Sequence, residues 1–131
     1  MPPSKIIQPE LSYFVSGLCF QVHNKLGRFC REKQYADAFE ELLIENKIKY
    51  TREKEINKIQ LKSPSGNRTD FVINNTILID FKAKKFVTKE DYYQMQRYLK
   101  SSHLKLGMII NFRNSYLKPK RILNSSVKNE P

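Results

Sequence analysis

Cysteine, glycine, acidic residues and long apolar runs are all scarce in this sequence, and each shortage removes a class of function. There are two cysteines, Cys19 and Cys30. They form no CxxC and have no Cys or His pair at zinc spacing beside them, so a zinc module is excluded. Cys19 falls on the apolar side of a helical pattern and reads as a small core residue. Only four glycines are present, and no Gly-rich phosphate loop can be assembled from them. No stretch approaches the roughly 18 apolar residues of a spanning helix, so a membrane partner is not expected. The opening MPPSKIIQPE has no apolar h-region, which makes the cytoplasm the expected location.

Negative charge is the most telling shortage. Thirteen Asp plus Glu stand against 24 Lys plus Arg, a net charge of +11. Such an excess attracts polyanions, and nucleic acid is the commonest one a soluble protein meets. With 131 residues, 40% apolar and 11% aromatic, the chain suits one domain with a modest core. We expect a flexible leader over 1–8, a folded domain over 9–123 and a disordered tail over 124–131.

The stretch TDFVINNTILIDFKAKK, Thr69 to Lys85, organises the rest. It reads as two strands of branched residues around a turn at Asn74-Asn75. Asp80 and Lys82 lie two apart and leave one face of an extended strand. A two-residue loop would pair Ile73 with Thr76 and put Asp70 and Asp80 on opposite faces. A three-residue loop, Asn74 to Thr76, pairs Ile73 with Ile77 and sets Asp70 opposite Asp80, about 5 Å apart at the β-carbons. We adopt the second register. Two carboxylates that close repel unless a positive charge sits between them, and a hard divalent cation is the usual solution. A water-facing hairpin with weak surface ion pairs explains the same spacing, and Asp-x-Lys is common by chance.

Asp70, followed across a hairpin of this length by Asp80-Phe81-Lys82, resembles the motif of the PD-(D/E)XK nuclease superfamily. The run FQVHNKLGRFCREKQY, Phe20 to Tyr35, resembles the signature of its GxxExxY family, and QMQRY, Gln94 to Tyr98, is similar to the Gln-x-x-x-Tyr motif of RecB-like nucleases. The matches run in the expected order from about Leu11 to Leu123. The resemblance implies an α/β (α+β) restriction-endonuclease-like core, αβββαβ, with a mixed sheet flanked by helices and one extra N-terminal helix. It also implies a metal-dependent nuclease. Mg²⁺ or Mn²⁺ would be held by Asp70, Asp80, the Phe81 carbonyl and Glu32, with His23 as a further candidate ligand. Lys82 would position a water or stabilise charge on the phosphate. Gln94 would join the catalytic group, supported by Tyr35 and Tyr98. An iron–sulfur cluster of the kind some RecB-like nucleases carry needs four cysteines, more than this chain has.

The sequence departs from the family at three positions. Phe29 stands at the glycine that names the motif, Arg28 where a proline is common, and Gln21 where Glu is common. A phenylalanine does not readily take positive φ, so this loop is expected to bend differently or to be strained.

The remaining elements follow from periodicity. Pro9 and Glu10 suit a helix start, and Leu11, Phe14, Val15, Leu18, Cys19, Val22 and Leu26 mark a buried stripe that Gly27 ends. A second helix spans about Arg31 to Asn46, with Tyr35, Phe39, Leu42 and Leu43 inward. Glu32 lies on the same side, one turn before Tyr35, and its carboxylate is either stabilised by the helix dipole or aimed at a metal. His23 and Tyr35 are equally well read as residues bonded locally or packed in the core. Glu40, Glu41 and Glu45 read as a solvated face. Ile48 to Lys62 alternates as a half-exposed strand or bent pair, with Lys47, Lys49, Arg52 and Lys54 forming a basic outer face, and SPSGNR, Ser63 to Arg68, reads as a turn. Thr88 caps a third helix with Glu90 and Asp91 in its first turn, where Tyr92, Met95, Leu99 and Gln96 recur and Gln94 and Tyr98 share another face. His103 closes it. Leu106 to Phe112 is a buried strand, and Arg121 to Leu123 a short last one.

Lys84, Lys85, Lys89, Arg97, Lys100 and Arg113 are the candidates to track a DNA backbone, with affinity falling as salt rises. No helix-turn-helix or recognition ribbon is present, so contacts are expected mainly to phosphates. Two other readings fit the basic composition: a nucleic-acid-binding module that keeps the fold without cutting, and an interaction domain for an acidic protein.

Overall fold

The computed structural model describes residues 7–52 and 70–125. Within them α1 spans Ile7–Leu26 and α2 Glu32–Glu45, followed by β1 (Tyr50–Arg52), β2 (Phe71–Ile73) and β3 (Ile77–Lys82). Next come α3 (Lys89–Ser102), β4 (Leu106–Asn111) and β5 (Lys120–Leu123). The sheet order is β1-β2-β3-β4-β5, with β3 and β4 parallel and the other pairs antiparallel. A parallel pair needs a crossover, which α3 supplies. This is a mixed sheet with helices on both faces, the restriction-endonuclease-like arrangement expected. Among the described residues no helix is long and apolar enough to cross a membrane.

Alternation along the strands sorts the core into two layers. Phe71, Ile73, Ile77, Ile79 and Phe81 point with Met108, Ile110 and Phe112 toward α1 and α2, where Val15, Leu18, Val22, Tyr35, Phe39 and Leu43 close over them. The aromatic rings lock edge to face, with Phe39 5.1 Å from Phe81 and Phe81 4.8 Å from Phe112. Leu78, Ile109 and Ile122 face the other way, onto Met95, Tyr98 and Leu99 of α3. The Met95 side chain of α3 lies directly on Gly107, in the space a Cβ there would take.

Several local expectations change on folding. Helix α1 begins at Ile7, inside the anticipated leader. Phe14 is 45% exposed and leaves the stripe, while Cys19 is fully buried, which raises its thiol pKa. Glu40 and Arg52, read as parts of solvated and basic faces, form an ion pair at 2.6 Å, and Arg52 also meets Asp37 at 2.9 Å. Burial opposes the Arg52 charge, but the two carboxylates outweigh it and raise its pKa. Asn124 does not open a disordered tail. It is 5% exposed and donates to the Leu99 and Leu104 carbonyls at 3.0 and 2.8 Å, tying the residue that follows β5 to the end of α3. Gln96 leaves the apolar row to donate to the Leu123 carbonyl at 2.8 Å. Lys54 and the Ser63 to Arg68 turn lie outside the described residues.

Candidate active site

The hairpin turns on Asn74 and Asn75, both at positive φ (51° and 56°), a conformation that asparagine tolerates better than most residues. Thr76 N–H donates to the Ile73 carbonyl at 2.9 Å, and the ladder pairs Ile73 with Ile77 and Phe71 with Ile79. This is the three-residue register, and it sets Asp70 across from Asp80. Both carboxyl groups therefore leave the sheet on the face opposite Phe71 and Phe81, where the core is thin and α3 passes over.

Asp70 lies one residue before β2, where the ladder runs out. Its N–H still donates to the Ile79 carbonyl at 2.9 Å, and its Oδ2 accepts the Phe81 N–H at 2.5 Å. The charge of Asp80 is felt at Asp70. Burial, then the charge of Asp80, pushes the Asp70 carboxyl up to about 8, although the Phe81 N–H works the other way. Burial also raises Asp80, against the pull of Lys82. Lys82 Nζ lies 3.2 Å from Asp80 Oδ2, with side-chain exposures of only 18% and 13%. Burial disfavours its ammonium, yet Asp80, Asp91 and Glu32 together outweigh that and raise its pKa, so the site carries a fixed positive charge.

Glu32 is exposed at the start of α2 rather than aimed inward. Its charge is still felt at Asp70, Asp80 and Lys82, which places it at the rim. Among the described residues no three His, Cys, Asp or Glu side chains converge as a metal group. The donor set that does form, two buried carboxyls held together, is all oxygen and strained by its own charge, which suits a hard divalent ion.

The other expected site residues fare differently. His23 is tied by Nε2–H to the Asn114 carbonyl at 2.9 Å and tilts against Phe112, so that nitrogen is not free as a ligand. Tyr35 is fully buried and stacked on Phe112 at 4.1 Å. Its hydroxyl donates to the Gly27 carbonyl at 2.6 Å and accepts the Cys30 N–H at 3.1 Å, and so pins the α1–α2 loop instead of a carboxylate. Within that loop Gly27 takes positive φ (80°), whereas Phe29 does not. The glycine two residues earlier makes the bend, and Phe29 is free of the expected strain. Gln94 is half-buried one turn from Asp91, and Tyr98 packs into the α3 core.

Two residues not anticipated at the site organise it. Asp91 is 4% exposed, and its carboxylate lies 3.7 Å from Lys82 Nζ and 2.7 Å from Lys84 Nζ while capping α3 through the Thr88 N–H at 2.8 Å. Burial opposes the Asp91 charge, but Lys84, the Thr88 N–H and Lys82 overcome it and hold the carboxyl below its ordinary range. Asn111, 4% exposed, accepts the Lys84 N–H at 3.1 Å and donates to the Lys84 carbonyl at 2.7 Å. Thr88 three residues before an acid was the available signal for a capping box. Its second use, as a counter-ion for Lys82, depends on α3 docking. Lys84, a candidate phosphate contact, forms an ion pair with Asp91. Arg97 also meets Glu90, at 3.1 Å, whereas Lys85, Lys89 and Lys100 stand exposed.

Neither a curated protein nor a solved structure matches the chain. The sequence model of the PD-(D/E)XK nuclease superfamily matches residues 9–122, which include the Asp70, Asp80 and Lys82 hairpin and both helices that flank it. The chain belongs to the PD-(D/E)XK nuclease superfamily.

Proposed function

We propose that this protein is a nuclease of the GxxExxY type that hydrolyses phosphodiester bonds in DNA, with Asp70, Asp80 and Lys82 at its centre. Superfamily membership implies nuclease-type chemistry with a divalent metal and a nucleic-acid substrate. The observation that carries the reading onto these residues is the register that sets Asp70 against Asp80 with Lys82 Nζ 3.2 Å away.

In this reading Asp70, Asp80 and the Phe81 carbonyl hold Mg²⁺ or Mn²⁺, and Glu32 reaches in from the rim. The ion, when bound, supplies Lewis-acid polarisation of the phosphodiester and a more acidic water. Lys82 orients that water or meets the charge growing on the phosphate, and a fixed ammonium needs no proton transfer to do so. Asp91 holds Lys82 in place, and Gln94 on the same helix face is positioned to bond water or phosphate. The exposed Lys85, Lys89 and Lys100 steer the polyanion.

Cleavage of labelled single- and double-stranded DNA with Mg²⁺ or Mn²⁺, for wild type and Lys82→Ala, tests the proposal. Activity in the wild type that Lys82→Ala loses supports it. Equal activity removes Lys82 from the mechanism, and no activity on either DNA favours a non-cleaving binding module.

A further inference from the structure

An exposed phenylalanine with two arginines against its ring lies in the loop between α1 and α2, and the nuclease reading leaves it unused. Phe29 is 74% exposed, a poor place for an aromatic ring unless something covers it. The Arg28 guanidinium lies 4.8 Å from its centroid and that of Arg113 5.5 Å. Both guanidiniums lie over the ring, yet the residue stays largely exposed, so ring and guanidinium planes together present an open stacking surface.

The arrangement is held from several sides. Arg28 Nε donates to the Arg113 carbonyl at 2.8 Å, and Arg113 Nε donates to the Arg28 carbonyl at 3.1 Å. This reciprocal pair joins the α1–α2 loop to the end of β4. Tyr35 pins the loop from beneath through Gly27 and Cys30. Arg113 is one residue beyond Phe112, whose N–H donates to the Lys82 carbonyl at 2.9 Å, and its own N–H reaches Asn111 Oδ1 at 3.3 Å, the atom that also accepts the Lys84 N–H. The loop backbone that carries the ring is therefore held to the end of β4, which reduces the ordering left to pay on binding.

We infer that Phe29, with Arg28 and Arg113, is a stacking platform for an unpaired nucleobase, and that the substrate reaches the site as a single strand or a frayed end. Every base has a π-face that stacks on an aromatic ring or a guanidinium plane, and guanidiniums beside the ring meet the flanking phosphates. In a duplex those faces are covered by neighbouring pairs, so an exposed ring discriminates for unpaired nucleotides without reading sequence. The platform supplies the substrate class for the nuclease reading, and rests on that reading for the cutting but not for the binding.

The chain contains no tryptophan, so Phe29→Trp installs a single reporter. In EDTA, a single-stranded oligothymidylate of about twelve nucleotides, a length within the usual site size, is expected to quench its emission. The same strand carrying abasic sites, and a blunt duplex hairpin, are expected to leave it nearly unchanged. By fluorescence anisotropy Phe29→Ala is expected to weaken single-strand binding about tenfold and duplex binding little. Unchanged emission at saturating single strand, no binding of single strands, or an equal loss on both DNAs overturns the platform. Quenching without any cleavage in Mg²⁺ or Mn²⁺ overturns the nuclease reading alone, and cleavage without quenching overturns the platform alone.

Discussion

Replacing Asp70 by Asn removes a carboxyl whose proton affinity burial and the neighbouring Asp80 charge raise, and this should stabilise the metal-free protein increasingly as pH rises. In the native state Asp70 titrates at about 8 against an ordinary 3.8. Between those values the folded chain holds a proton that the unfolded chain has released, so stability falls with rising pH, at up to roughly 1.4 kcal/mol per unit. Four units cap the effect at about 6 kcal/mol. Relaxation and water bring the expected gain for Asp70→Asn to about 2 to 3 kcal/mol at pH 8 to 9, shrinking toward zero near pH 4. Asparagine keeps an oxygen for the Phe81 N–H, so the ladder end survives. Urea unfolding in EDTA from pH 5 to 9 is the assay. Wild type should lose stability across the range, with a shallower slope for Asp70→Asn. Added Mn²⁺ at pH 8, at a hundredfold excess over its dissociation constant, should stabilise wild type by about 3 kcal/mol and the variant far less. Parallel pH curves for the two proteins would refute the coupled buried pair.

Lys82→Ala should lower cleavage by about 100- to 1000-fold, the usual cost of removing one charge-stabilising group, with the circular dichroism spectrum unchanged. Asp91→Asn should free Lys82 and Lys84 together and weaken the α3 cap by about 1 kcal/mol. The expected readout is a drop in kcat larger than any change in KM, along with a lower midpoint in urea. Asn124→Ala leaves the Leu99 and Leu104 carbonyls without their side-chain donor and should cost about 1 to 3 kcal/mol, which a melt that ends at the wild-type temperature would contradict.

What the sequence made legible was local. The hairpin register followed from the turn at Asn74-Asn75 and from the demand that both aspartates share a face. Thr88 announced its helix, and the α1 and α2 stripes were right apart from Phe14. Several polar groups find partners that periodicity along one element does not report. Tyr35 meets the loop that precedes its own helix, and Arg52 reaches back to Asp37 and Glu40. Lys84 is captured by Asp91 and Asn111. No spacing rule reports the Lys84 pairings, because α3 and β4 must dock before those atoms meet. Glu32 is the instructive case: helical periodicity placed it on the inward side, yet at the first turn of α2 that side already opens to solvent.

A crystal grown with Mn²⁺ and measured at the manganese edge tests the central claim most directly. An anomalous peak touching both Asp70 and Asp80, within reach of the Phe81 carbonyl and absent in Asp80→Asn, is the predicted result. A peak elsewhere, or none beside the two carboxyls, would contradict it.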